Sequence, residues 1–147
     1  RRAPIPIQQR SLQAGSQVDT RKKILTVEAA AEAARKCRQS GRRVSLVTGL
    51  FDPLLAAHAR RLAEIARDGG ALFVAVGEAP DALLEARARA ELVAALAVVD
   101  YVILDGQPPQ ELARLIEADS VFHEEAADRQ RTQELTRHVH HRQRPTQ

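Results

Sequence analysis

The run Ala71-Leu72-Phe73-Val74-Ala75-Val76 constrains this chain more than any other feature: six apolar residues with no polar break, set off by Gly69-Gly70. A strand with one wet face alternates apolar and polar residues, whereas a strand covered on both faces reads as a continuous apolar run. The run therefore predicts a central strand with helices above and below it. Residues 44–48 form a second β-rich run, residues 101–104 a third and residues 120–123 a fourth, with stretches of helical apolar spacing between them. Parallel neighbours need crossovers of a dozen or more residues, usually helical, and this alternation supplies them. The predicted fold is a doubly wound, parallel α/β sheet. Ligands of such sheets sit beyond the carboxyl ends of the strands, which directs attention to the turn after residues 44–48.

The helices can be placed in the same way. Val27, Ala30, Ala31, Ala34 and Cys37 recur at helical spacing after a Thr26 cap, and Gly41 supplies a stop. A second helix follows Pro53 and runs to about residue 67. Pro80-Asp81 is read as opening a third, with Leu84, Ala88, Leu92, Ala95 and Leu96 or Val99 as its apolar face. A helix over 111–118 and a polar helix reaching about residue 141 complete the series. At 147 residues the chain suits one domain. We place it at residues 23–142, with a flexible basic leader at 1–22 and a tail at 143–147. The chain opens on Arg1 and contains no methionine, which reads as a start inside a longer product.

Several classes of function recede on composition. No apolar run approaches the ~20 residues of a membrane span, and the basic N-terminal stretch lacks a signal-peptide core, so a cytoplasmic protein with no membrane partner is expected. Net charge is only +3, with the basic excess at the two ends, which reads as solvated tails. Aromatic residues are 3% of the chain, leaving little for base stacking and disfavouring a nucleic-acid partner. The lone Cys37 reads as a buried spectator. His138, His140 and His141 do not converge on one ion from a single helix, so no metal site is expected there. There is neither a G-x-G-x-x-G fingerprint nor a phosphate-loop lysine.

The turn itself, Thr48-Gly49-Leu50-Phe51-Asp52-Pro53-Leu54-Leu55-Ala56-Ala57-His58, resembles the G-x-F-D-x-x-H-x-G-H region of the cytidylyltransferase-like nucleotidylyltransferases, in frame and without a gap. Arg89-Ala90-Glu91-Leu92 through Leu96, followed by Val99-Asp100-Tyr101-Val102, resembles the adenylyltransferase domain of ADP-heptose synthases, where an arginine-bearing helix leads into a strand. The resemblance spans roughly residues 23–123 and implies a five-stranded, Rossmann-like sheet of the HUP type. It also implies a nucleotide or phosphorylated small molecule as partner, held by Thr48, Gly49, Leu50, Phe51, Asp52 and Arg89, with His58 catalytic, Mg²⁺ if the protein is active, and a homodimer. A glycine turn lets backbone N–H groups approach phosphate oxygens, and the helix N-terminus behind it adds partial positive charge.

The chain departs from that pattern at several places. Leu55 stands at the first histidine of H-x-G-H and Ala57 at its glycine. The loop over 77–87 has no lysine, and none occurs after Lys36; His123-Glu124-Glu125 replaces a lysine-glycine segment, putting negative charge where a triphosphate would lie. The family's late serine/threonine-rich helix start is not recognisable before His138. The expectation is a pseudoenzyme that binds a nucleotide or phosphorylated small molecule with weak or no turnover. Two alternatives stand beside it: an active nucleotidylyltransferase releasing pyrophosphate, and a non-enzymatic dimeric module in which the apolar replacements close the old pocket. His58 is read either as a retained phosphate ligand or as a polar residue at a helix start, and Asp52 as a cap for the helix after it. Arg87 is read as solvated. Asp52, His58, His123 and Glu124 are considered as a polar cluster at the strand ends.

Overall fold

The computed structural model describes residues 18–143. A two-residue strand, β1 (Ile24–Leu25), leads into α1 (Val27–Gln39), and β2 (Val44–Gly49) into α2 (Ala56–Ile65). Then come β3 (Ala71–Val76), α3 (Ala86–Ala94), β4 (Tyr101–Ile103), α4 (Pro109–Leu115), β5 (Ser120–His123) and α5 (Glu125–Gln143). All five strands are parallel, in the order β1-β4-β3-β2-β5. The α/β sheet expected from the alternation is what the chain builds.

Side chains alternate across the sheet and so divide the core in two. Leu46, Phe73 and Ala75 point to one face, where Val27, Ala30, Ala34 and Cys37 of α1 and Leu112 of α4 cover them. Val47, Leu72, Val74 and Val76 point to the other, against Leu62 and Ile65 of α2 and Ala90, Val93 and Ala94 of α3. Helices α1 and α4 thus share one face and α2 and α3 the other. The chain steps outward from β2 through β3 to β4 and returns to the far side of β2 as β5. That reversal puts the crevice of the doubly wound sheet between the carboxyl ends of β2 and β5, where such folds receive ligands. Helix α5 starts at this crevice and contributes no residue to either apolar cluster.

Local signals account for most boundaries. Thr26 Oγ1 accepts the Ala29 N–H at the start of α1, as its position before the apolar spacing predicts. Strand β1 was not placed from the sequence, because two residues carry no periodicity; it exists through Ile24 and Leu25 pairing with Val102 and Ile103. Residues 18–22, assigned to the leader, are built into the fold, with Asp19 capping a 3₁₀ turn at Thr20–Lys23 and Lys23 Nζ donating to Leu96 O. The rest of the leader and residues 144–147 lie outside the described residues.

Helix α3 differs from expectation in both start and phase. Pro80-Asp81 forms a turn, and the helix begins at Ala86 with Glu85 as its N-cap. Its buried face is Arg89, Ala90, Val93 and Ala94, while Leu92 is 43% exposed. The cause lies 30 residues earlier in the chain, in Asp52. Its buried carboxylate accepts the N–H groups of Leu83 (2.7 Å) and Leu84 (2.9 Å), holding that segment out of the helix. Asp52 therefore caps neither helix: it anchors the segment that leads into α3, whose N-cap Glu85 makes no side-chain capping bond. Replacing Asp52 with Ala removes two charge-assisted bonds and should cost about 2 kcal/mol in urea unfolding; a loss below about 0.5 kcal/mol would show that the carboxylate does not hold α3 in place.

Candidate functional site

The turn between β2 and α2 has the backbone of an anion cradle. Phe51 has a positive φ of 51°, uncommon for a non-glycine residue, and the N–H groups of Leu50 and Phe51 converge on a single point. Gly49 is required beside them, because a Cβ there would lie 2.5 Å from whatever oxygen occupies that point and 2.9 Å from the Phe51 ring. The oxygen that occupies it belongs to the protein. Asp128 Oδ2, from the first turn of α5, accepts from Leu50 N–H at 2.8 Å and Phe51 N–H at 3.3 Å.

The other carboxylate oxygen of Asp128 faces two further groups. Arg131 Nη1 donates to Oδ1 at 2.8 Å, and His58 Nε2 lies 2.7 Å from the same atom, off the line of a well-aligned hydrogen bond. His58 Nδ1 accepts the Leu55 N–H at 2.9 Å, capping the N-terminus of α2 and leaving the ring proton on Nε2, toward the carboxylate. Asp128 and His58 are 1% and 2% exposed. Burial pushes the Asp128 carboxyl upward, but His58 and the N–H groups of Leu50 and Phe51 outweigh it, so Asp128 titrates below the ordinary carboxylate range. The space bounded by Val47, Phe51, His58, Arg61 and Asp128 admits no water-sized molecule. A ligand has no room at His58 while α5 is docked.

Arg89 is equally engaged. Its guanidinium is buried at 2% exposure and donates to Leu50 O (2.8 Å), Gly77 O (2.9 Å) and Leu84 O (3.1 Å). It clamps the turn, the end of β3 and the entry to α3 through three carbonyl oxygens. Arg87 pairs with Glu91 on the exposed face of α3, the solvated role its spacing suggests.

Asp52, His58, His123 and Glu124 do not form one cluster. Asp52 serves Leu83 and Leu84; His58 serves Leu55 and Asp128; His123 Nδ1 meets Thr48 Oγ1 at 2.8 Å; Glu124 pairs with Arg61 at 3.0 Å. Each of the four is engaged with a nearby group, as most buried polar side chains are, although His58 Nε2 makes no well-aligned bond. Leu55 does not close the turn either: it is the half-buried N-cap position of α2, and the acceptor at the Leu50 and Phe51 N–H groups is Asp128. Asp128 and Thr132, whose Oγ1 donates to Asp52 O at 2.7 Å, are the residues at this turn that sequence reasoning missed. Their one signal is i, i+4 spacing on a polar helix emerging beside the crevice, which many solvated helices share.

A cavity of about 260 Å³ remains on the far side of Leu50, over the ends of β2, β3 and β4. Thr48, Gly77, Glu78, Asp105, Glu125 and Arg129 are among its walls. Asp105 is committed to the N–H of Val27, whereas Glu125 Oε1 is buried without a hydrogen-bond partner. Among the described residues no three His, Cys, Asp or Glu side chains gather in a way that could hold a metal ion, and no helix is long and apolar enough to cross a membrane.

Two outcomes follow from this wiring. Asp128 has a lowered folded-state pKa, so the stability it contributes is complete above the unfolded carboxyl value near ~3.9 and is lost as pH falls through the lower folded value. The stability gap between the native protein and Asp128→Asn should therefore be constant near neutrality and close as pH falls below about 4; a gap that closes between about pH 5 and 8 would assign the linkage to another group. Arg89→Met leaves three carbonyls without their donor and should cost about 3 kcal/mol in chemical unfolding, with a cost under about 1 kcal/mol contradicting a clamp. Neither a known family model nor a curated protein sequence matches the chain, so its chemistry has to be read from this geometry.

Proposed function

We propose that the chain is a catalytically silent domain of the nucleotidylyltransferase-like class, one that binds a nucleotide or phosphorylated small molecule without appreciable turnover. One observation carries the reading: the N–H groups of Leu50 and Phe51, and the imidazole of His58, are directed at the chain's own Asp128 carboxylate. Nucleotidyl transfer relies on prearranged donors around a phosphate as it is attacked and as pyrophosphate departs, and each missing donor costs roughly 10²–10³ in rate. Here Leu55 offers hydrocarbon where the resemblance expects the first histidine, His58 is committed to capping α2 and to Asp128, and Arg89 is committed to three carbonyls. No lysine after Lys36 is available to take their place.

Mg²⁺ would in such chemistry neutralise the triphosphate. Among the described residues no three ligating side chains gather, and a magnesium ion in such sites is held largely by substrate phosphates and water, with one or two carboxylates at most. The cavity beyond Leu50, about 260 Å³, lies just under the usual range of small-molecule sites and has room for a phosphorylated fragment and not for a whole nucleotide. The test is pyrophosphate release from each nucleoside triphosphate with Mg²⁺ and a panel of sugar and polyol phosphates. The expected result is release at the no-enzyme background. Robust turnover abolished by His58→Ala would overturn the reading.

A further inference from the structure

Helix α5 holds a position that its composition does not justify by apolar packing. Of its 19 residues only Asp128 is buried, and its apolar side chains are limited to Ala126, Ala127, Leu135 and Val139, the last 43% exposed. A helix normally docks through an apolar stripe. This one docks through polar bonds at its first two turns: Asp128 on the cradle, and Thr132 Oγ1 donating to Asp52 O at 2.7 Å. Just ahead of it Glu124 N–H donates to Thr48 O at 2.7 Å, and the Glu124 carboxylate takes Arg61.

The groups around Asp128 are those that suit an oxyanion: two successive backbone N–H groups and a guanidinium that donate to it, and an imidazole nitrogen 2.7 Å away. Three of these four, the two N–H groups and His58, belong to the β2–α2 unit and stay behind when α5 moves; Arg131 leaves with the helix. Resting on the reading above, we propose that α5 is a displaceable plug: its Asp128 carboxylate and the phosphate group of a ligand compete for one cradle, so that binding the ligand releases the helix.

Physical chemistry sets the terms of the exchange. A cradle of charge-assisted hydrogen bonds discriminates little between a carboxylate and a phosphate oxygen, and a phosphate brings more charge and more acceptor oxygens. The internal carboxylate has the advantage of tethering, equivalent to an effective concentration in the millimolar range or above. A free ligand is weakened by the fraction of molecules in which the plug is out, and any change that loosens the plug raises its apparent affinity. An apolar docking helix would not respond to an anion in this way, since phosphate competes for hydrogen bonds and not for hydrocarbon contact.

The experiment uses the full chain and inorganic pyrophosphate, with affinity read by calorimetry and the state of α5 by amide hydrogen exchange. In the native protein, saturating pyrophosphate should speed exchange in α5 at least about tenfold while leaving β2 and β3 protected. Asp128→Asn should bind pyrophosphate at least about tenfold more tightly than the native chain. Thr132→Val, which touches no cradle donor and so guards against a folding defect at Asp128, should bind a few-fold more tightly. Protection of α5 that does not change with pyrophosphate, or variants that bind no more tightly than the native chain, would overturn the plug. Turnover is measured separately: a plug that exchanges in a protein that also releases pyrophosphate from nucleotides defeats the reading of silence and leaves the plug standing.

Discussion

The carboxylate of Asp128 seated on the N–H groups of Leu50 and Phe51 is the contact on which the rest of this structure turns. Without an acceptor there, a buried turn with two convergent donors would be left unsatisfied, a cost comparable to losing the bonds outright. With it, the crevice at the reversal of the sheet is closed, α5 has a place to sit, His58 acquires a fixed orientation, and Gly49 has to remain glycine. The two convergent donors of the turn are satisfied by an acceptor from the chain itself.

Around that contact, two charged side chains set the geometry of the turn from opposite sides. Asp52 accepts from the N–H groups entering α3, while Arg89, from the first turns of α3, donates back to the carbonyls of Leu50 and Gly77. The pair is reciprocal: acid to amide in one direction, guanidinium to carbonyl in the other. Buried charges are tolerated when their hydrogen-bonding capacity is met, and here it is met by backbone and not by a ligand. Phe51, Asp52, His58 and Arg89 thus have architectural duties that would preserve their positions with no chemistry to perform.

This explains which parts of the molecule could be read from the sequence and which could not. The continuous run at Ala71–Val76 and the spacing after Thr26 are local statements about burial and capping, and both translate directly into structure. Strand β1 depends on a partner some 78 residues away, and the phase of α3 depends on Asp52, so neither could be seen within its own window. The site was half legible. The turn motif identified the residues that gather at the crevice, because the backbone there is specified by Gly49 and its neighbours. It could not identify their partners: Asp128 looks like any acidic residue on a polar helix, and only the return of β5 beside β2 brings it to the cradle.

Helix α5 has one further geometric property. At 1.5 Å per residue its nineteen residues extend for about 28 Å, and its anchoring bonds to the turn are all made within the first eight. It is a rod gripped at one end, with Arg137, His138, His140, His141 and Arg142 all exposed on its outer reach. A tilt of about 10° about Asp128 sweeps the Gln143 end through about 4 Å. Because the pivot lies at the anchored end, such a tilt would move the charged end of the helix several ångströms while leaving the Asp128 contact almost in place.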